Sequence, residues 1–123
     1  ADYWYVPFGT CRVVLHDLRK GSPTDGATQV IDLGARKDGT HDHRGVFIPP
    51  GVAHGFASLT DMTITYLVDG YYNPNDELGV AYNDLAIGAD WGIASPTLSK
   101  RDQANPMRKD IAAHQQPIWG MRT

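Results

Sequence analysis

Residues 46–59, VFIPPGVAHGFASL, set one histidine, His54, behind Pro49-Pro50-Gly51 and directly ahead of Gly55-Phe56. Proline holds φ near one value and glycine admits backbone conformations closed to other residues, so rigid punctuation surrounds a side chain able to do chemistry. An imidazole can ligate a metal, carry a proton, donate to a substrate, or lie satisfied in a core. If residues 55–59 form a strand, His54, Phe56 and Ser58 share one face. Spacing alone leaves all four roles open.

Tyr66 is the second candidate. In a strand over residues 62–68, Met62, Ile64, Tyr66 and Val68 share one face, and Thr63, Thr65 and Leu67 share the other. The phenol then sits among apolar side chains, either as a core tyrosine whose hydroxyl needs a partner or as a proton donor in a partly dry pocket. Asp102 follows Ser99 by three residues, the spacing of an acid in a capped helix start, which needs no catalytic role. Tyr72 and Glu77 lie in a proline-stiffened loop, where binding residues concentrate. There an exposed tyrosine can stack on a base and a carboxylate can accept ring N–H groups, or both can be ordinary loop residues.

His41, His43 and His54 make a metal-like set, because histidines one residue apart project to the same side of an extended segment. His41 and His43 sit in a polar stretch without a well-placed carboxylate, so no native metal is expected. Arg36, Lys37 and Arg44 near that stretch read as solvated charges, with a phosphate contact as the lesser option. Nucleophilic catalysis has little support: Cys11 lies in a strand with no evident base, and Ser22 and Ser58 lack a motif. No strand–glycine–helix phosphate loop occurs.

The elements that position these groups follow from composition and turn chemistry. The 123 residues suffice for one domain over residues 1–123, and 13 glycines with 8 prolines suit a turn-rich β protein. Short apolar runs at residues 3–6, 11–18, 29–33, 46–48, 55–59 and 62–68 are separated by turn residues. This predicts an all-β antiparallel sandwich or barrel. The last two runs meet at Thr60-Asp61, which predicts a tight hairpin, and Val80-Ala81-Tyr82 suggests one more short strand. Residues 83–98 read as irregular around Trp91. A helical turn is expected from Ser99 and a second short helix over residues 108–115. The division expected is a β core over residues 1–92 and an extension with short helices over residues 93–123.

Formal charge is −3 with no long basic run, so no nucleic-acid partner is expected. One cysteine excludes an intrachain disulfide framework. No run approaches the ~18 apolar residues of a membrane span, and no signal-peptide pattern opens the chain. The expectation is a soluble, cytoplasmic protein.

Six blocks carry a resemblance. Asp17-Leu18-Arg19-Lys20-Gly21-Ser22-Pro23-Thr24, Ile48-Pro49-Pro50-Gly51-Val52-Ala53-His54-Gly55-Phe56 and Thr65-Tyr66-Leu67 resemble the dTDP-4-dehydrorhamnose 3,5-epimerases. So do Tyr71-Tyr72-Asn73-Pro74-Asn75-Asp76-Glu77, Ile87-Gly88-Ala89-Asp90-Trp91 and Leu98-Ser99-Lys100-Arg101-Asp102, in the same order along nearly the whole chain. The resemblance implies a cupin-type antiparallel jelly roll, usually a homodimer, that works on a dTDP-4-keto-6-deoxyhexose with no metal or organic cofactor. It implies Tyr66 as the catalytic acid and Asp102 as the aspartate that partners the base. His54 becomes a substrate or oxyanion contact, and Tyr72 and Glu77 lie near the nucleotide base.

Three departures stand out. The family's base belongs to a Gly-Leu-His-x-Gln motif whose place falls upstream of Ala1, and that motif is absent from these residues. The family's lysine just after it falls on Asp2, and Val13 stands where the family usually carries an acid. These departures set an epimerase against a nucleotide-sugar-binding cupin without turnover, with a metal cupin as a weaker third reading. If the chain turns substrate over without that motif, His54 is the first substitute base to test.

Overall fold

The computed structural model describes residues 1–71 and 78–120. Among the described residues seven strands form two antiparallel sheets: β1 (Asp2–Phe8), β2 (Thr10–Asp17), β3 (Thr28–Ala35), β4 (His41–Asp42), β5 (Val46–Ile48), β6 (Val52–Ser58) and β7 (Thr63–Val68). One sheet runs β5-β1-β7 and the other β4-β3-β2-β6. Between them lies a core of Trp4, Val6, Cys11, Val13, Leu33, Val46 and Ile48, with Leu15, Ile31, Val52, Met62 and Ile64 packed on it. The all-β sandwich expected from the spacing of apolar runs is the architecture found.

Strand β2 is covered on both faces, and Val13, Val14 and Leu15 stand consecutively in it. Cys11 and Val13 point into the core, while Val14 and His16 are buried on the opposite face. Residues 87–91 and Arg108 lie over that outer face. Thr28 Oγ1 donates to the Ile87 carbonyl at 2.7 Å, and Arg12 reaches the Asp90 carbonyl. Trp91 packs over Gly55, where an added Cβ would come within 3.0 Å of the indole.

The expected hairpin at Thr60-Asp61 does not form. β6 pairs with β2 and β7 pairs with β1, so the link between them crosses from one sheet to the other. It is held by the β1–β2 junction instead: Thr10 N–H donates to Thr60 Oγ1 at 2.9 Å, and Leu59 N–H donates to the Thr10 carbonyl at 3.0 Å. Gly9, at φ +77°, lets β1 turn into β2 against the Asp61 backbone, where no Cβ would fit.

Three further expectations are corrected. Val80-Ala81-Tyr82 is not a strand; Ala81 N–H finds the Pro106 carbonyl at 2.7 Å, and Gly79 packs against the Asn105 side chain. Residues 108–115 form two 3-10 turns, Arg108–Asp110 and Ala113–Gln115, separated by extended backbone at Ile111 and Ala112. So short a segment has little helical stability of its own, and Arg108 is drawn into contacts with the sheet. His41–Asp42, expected within a loop, pairs with Gly34 and Ala35 as the edge strand β4. The helix expected from Ser99 is present as α1 (Lys100–Ala104), with Ser99 Oγ accepting from Asp102 N–H at 3.1 Å.

Candidate active site

The Pro-Pro-Gly punctuation makes a type II turn. Val52 N–H donates to the Pro49 carbonyl at 3.3 Å, and Gly51 takes φ +86°. Leu18 N–H donates to the Gly51 carbonyl at 3.2 Å, tying this turn to the end of β2. The register of β6 is thereby set, with His54 opposite Leu15 and Phe56 opposite Val13. Directly opposed residues share a face, so His54 and Phe56 face the space between the sheets.

From the other sheet, Trp4 lies opposite Tyr66, and Asp2 lies opposite Val68. Asp2, Trp4, Tyr66 and Val68 thus share the inner face of the β5-β1-β7 sheet. Trp4 is 6% exposed and meets His54 and Phe56 edge-on, with ring centroids at 5.1 and 5.6 Å. Tyr66 and Val68 share that face yet are 58% and 55% exposed, so the inner surface is open at this end of the sandwich. The buried Trp4 Nε1–H has no acceptor among the described residues.

His54 has a polar partner at each nitrogen. Nδ1 lies 2.9 Å from the Val52 carbonyl, which only accepts, so Nδ1 carries the hydrogen in that bond. Nε2 lies 3.3 Å from Asp2 Oδ2. The side chains of His54 and Asp2 are 34% and 24% exposed, half-sheltered rather than buried. The sequence flagged Asp2 only as a reversed charge. Its pairing with His54 depends on strands from two sheets, although the alternation of Asp2 with Trp4 and Val6 already put the carboxylate on the inward side.

Asp102 lies on α1, outside this arrangement: no hydrogen bond or ion pair among the described residues joins its carboxylate to His54 or Tyr66. Tyr72 and Glu77 fall outside the described residues. His41 and His43 do project together, with ring centroids 4.4 Å apart, and Tyr5 Oη lies 3.2 Å from His43 Nδ1. His54 is elsewhere, and among the described residues no group of three or more His, Cys, Asp or Glu side chains is placed to hold a metal. Arg44 and Arg36 are occupied by Asp42; hydrogen bonds from Arg44 hold that carboxyl down at about 2. Burial, and then the charge of Asp32, push the Cys11 thiol up to about 12, which removes it as a nucleophile.

The Asp17–Thr24 block is explained by one carboxylate. Asp17 Oδ1 accepts from Arg19 N–H and Nε–H, both at 2.9 Å, and Oδ2 accepts from Ser22 Oγ at 2.7 Å and Thr24 Oγ1 at 2.6 Å. These bonds, Arg19 foremost, hold the Asp17 carboxyl far below the usual carboxylate range. Asp17 therefore serves the loop that follows β2 rather than proton transfer.

Known proteins share this layout. The family model for dTDP-4-dehydrorhamnose 3,5-epimerase matches residues 1–110. The dTDP-4-dehydrorhamnose 3,5-epimerase of Mycobacterium tuberculosis is 36% identical over 117 residues, covering 92% of this chain and 55% of that protein. The dTDP-4-dehydrorhamnose 3-epimerase of Streptomyces niveus is 41% identical over 104 residues, covering 84% of this chain and 48% of that protein. The crystal structure of the Legionella pneumophila dTDP-6-deoxy-D-glucose-3,5-epimerase with dTDP-4-keto-L-rhamnose superposes with TM-score 0.85 at 30% identity, over 98% of this chain and 62% of that one. The chain thus spans about half the length of the curated relatives it matches. Its sandwich is the cupin-type jelly roll of these enzymes, and the chain belongs to the dTDP-4-dehydrorhamnose 3,5-epimerase family.

Proposed function

We propose that the protein carrying this chain is a nucleotide-sugar epimerase that inverts C3, C5 or both in a dTDP-4-keto-6-deoxyhexose. One observation carries the reading: Tyr66 and His54 project from opposite sheets onto one open inner face, with Trp4 touching His54 and standing in register with Tyr66. Epimerisation beside a ketone needs a base on one side of the sugar ring and an acid on the other. Removal of the C3 or C5 proton sends its electron pair onto the C4 oxygen as an enolate. A proton delivered to the opposite face of the same carbon restores the ketone with inverted configuration.

In this reading Tyr66 is the proton donor, His54 contacts the substrate or its enolate oxygen, and Asp102 partners the base. Tyr72 and Glu77 meet the nucleotide base. Family membership supports the substrate class, as does the dTDP-4-keto-L-rhamnose bound in the Legionella enzyme. The proposed setting is a cytoplasmic homodimer whose partner is the dTDP-sugar, with neither nucleic acid nor membrane involved.

A second reading, a nucleotide-sugar-binding cupin without turnover, is favoured by Asp2 in the place of the family's lysine and Val13 in the place of its acid. The two part on deuterium. Incubation of a dTDP-4-keto-6-deoxy sugar in heavy water should label C3 or C5 under the first reading, and leave both unlabelled under the second. In either case dTDP should raise the melting temperature through binding to the native state. No shift at millimolar dTDP would defeat both.

A further inference from the structure

Resting on the reading that His54 contacts the sugar of a dTDP-linked ligand, we propose that residues 116–119 are a strap that sets the place of His54, with Trp119 as the positioning residue. The family model matches residues 1–110, so this segment lies beyond the matched span. It docks on the loop after β2 as one rung of parallel pairing between Lys20 and Ile118. Lys20 N–H donates to the Pro117 carbonyl at 2.8 Å, and Trp119 N–H donates to the Lys20 carbonyl at 2.9 Å. Gln116 Nε2 adds a bond to the Leu18 carbonyl at 3.4 Å.

Arg19 carries the contact from the strap to the turn at Pro49–Gly51. Its guanidinium lies over the Trp119 ring, 4.6 Å from the centroid, while Nε and Nη2 donate to the Asp17 carboxylate. A planar cation held along one edge by a carboxylate and on its face by an indole has little freedom left. Its stem and Pro117 close on Gly51: an added Cβ there would meet Arg19 Cγ at 2.6 Å and Pro117 Cβ at 3.0 Å. The Gly51 carbonyl accepts from Leu18 N–H on the same loop. Strap, loop and turn therefore stack in that order.

The imidazole follows the turn. Val52 N–H closes the turn on the Pro49 carbonyl, and the Val52 carbonyl holds His54 Nδ1–H at 2.9 Å. A shift of the turn moves this anchor, and with it the edge of the ring that meets Asp2. Among the described residues no hydrogen bond or ring contact joins residues 116–119 to His54 itself, so Trp119 acts through Arg19 and Gly51. The same reading assigns the nucleotide base to Tyr72 and Glu77. Loosening the strap should therefore weaken the hold on the sugar and spare the hold on the nucleotide.

The test uses the whole chain in two measurements. Trp119 is 49% exposed, so Trp119→Ala leaves the core intact. Nitrogen-15 NMR of histidine-labelled protein, with His54 assigned through His54→Gln, should show the His54 ring signals displaced in Trp119→Ala and those of His41 and His43 in place. Trp119→Phe keeps an aromatic face over Arg19 and should restore the wild-type signals. By calorimetric titration, Trp119→Ala should bind a dTDP-4-keto-6-deoxy sugar about fivefold more weakly, the worth of about one hydrogen bond, with dTDP affinity held within about twofold. Trp119→Phe should recover the sugar affinity. His54 signals unmoved in Trp119→Ala would overturn the proposal. Equal weakening toward dTDP and the dTDP-sugar would overturn it too, because general loosening does not single out the sugar. Displacement that Trp119→Phe fails to reverse would remove the ring over Arg19 as its cause and overturn the role of Trp119. A wild type that binds neither ligand would defeat the proposed function, while the ring signals alone still decide whether Trp119 positions His54.

Discussion

Arg108 Nη1 lies 2.6 Å from His16 Nε2 and so joins residues 92 positions apart in the chain. The bonding around His16 fixes its tautomer. Thr28 Oγ1 spends its hydrogen on the Ile87 carbonyl at 2.7 Å, so His16 Nδ1–H must donate to Thr28 at 2.8 Å. Nε2 is then a lone pair accepting from Arg108, and the ring is neutral. His16 is 1% exposed, so this neutral ring is the buried end of the contact that holds the C-terminal segment on the outer face of β2.

Acidification should loosen that contact. Burial first, then the facing Arg108 guanidinium, lower the His16 value from its ordinary 6.5, while Asp84, Asp17 and Asp25 pull it up less strongly. Between the lowered folded-state value and about 6.5 the unfolded chain binds one more proton, so stability rises with pH through this window and falls on acidification. Melting temperature against pH should show that slope, and His16→Gln should flatten it. An unchanged slope in the variant would place the titration elsewhere. Arg108→Met should cost about 2–3 kcal/mol, the size of hydrogen bonds to a charged group.

Local patterns explain which parts of the fold were legible. The cap at Ser99–Asp102 and the turn at Pro49–Gly51 follow from side chains close in sequence, and both are found. The face of Tyr66 follows from alternation along one strand. The false hairpin at Thr60-Asp61 shows the limit: the short link over residues 59–62 joins strands of opposite sheets, and only pairing with β1 and β2 decides. Strand β4 is two residues long and carries no periodicity to read. The Asp2–His54 contact spans two sheets, so no local spacing reports it.

Two glycines in the same backbone region should answer alanine differently. Gly21 and Gly51 have φ +83° and +86°, but an added Cβ meets nothing within 4 Å at Gly21, and Arg19 Cγ at 2.6 Å with Pro117 Cβ at 3.0 Å at Gly51. Gly21→Ala should therefore cost about 1–2 kcal/mol from the left-handed backbone alone. Gly51→Ala should cost more, because Arg19 must also leave its place against Asp17. Urea unfolding of the two variants compares them directly; equal losses would mean that the neighbours of Gly51 relax freely.

Cys11 should be silent toward thiol reagents in the native protein. It has 0% exposure, and its thiol is pushed up to about 12, so neither access nor thiolate is available near neutral pH. Labelling with an aromatic disulfide reagent should go to completion in guanidinium chloride and proceed without denaturant only as fast as the core opens. Rapid native labelling would show that the sandwich opens between β2 and its neighbours far more often than its packing implies.

Tyr66→Phe separates chemistry from packing. The side chain is 58% exposed on the open inner face and lies opposite Trp4 in the β1–β7 register, so the ring of phenylalanine preserves what little packing it has. The expected stability change lies within about 0.5 kcal/mol, the range of surface substitutions. Under the proposed mechanism the lost hydroxyl removes the proton donor, so inversion should fall by about 100-fold or more. The base on the opposite face remains to abstract a proton and return it to the same face. Deuterium wash-in without inversion should therefore persist at the carbon that this base serves, followed by proton NMR of the sugar in heavy water. If inversion and wash-in fall together, both proton transfers depend on Tyr66 and the base does not act alone on its face. If neither falls, the donor is a group other than Tyr66.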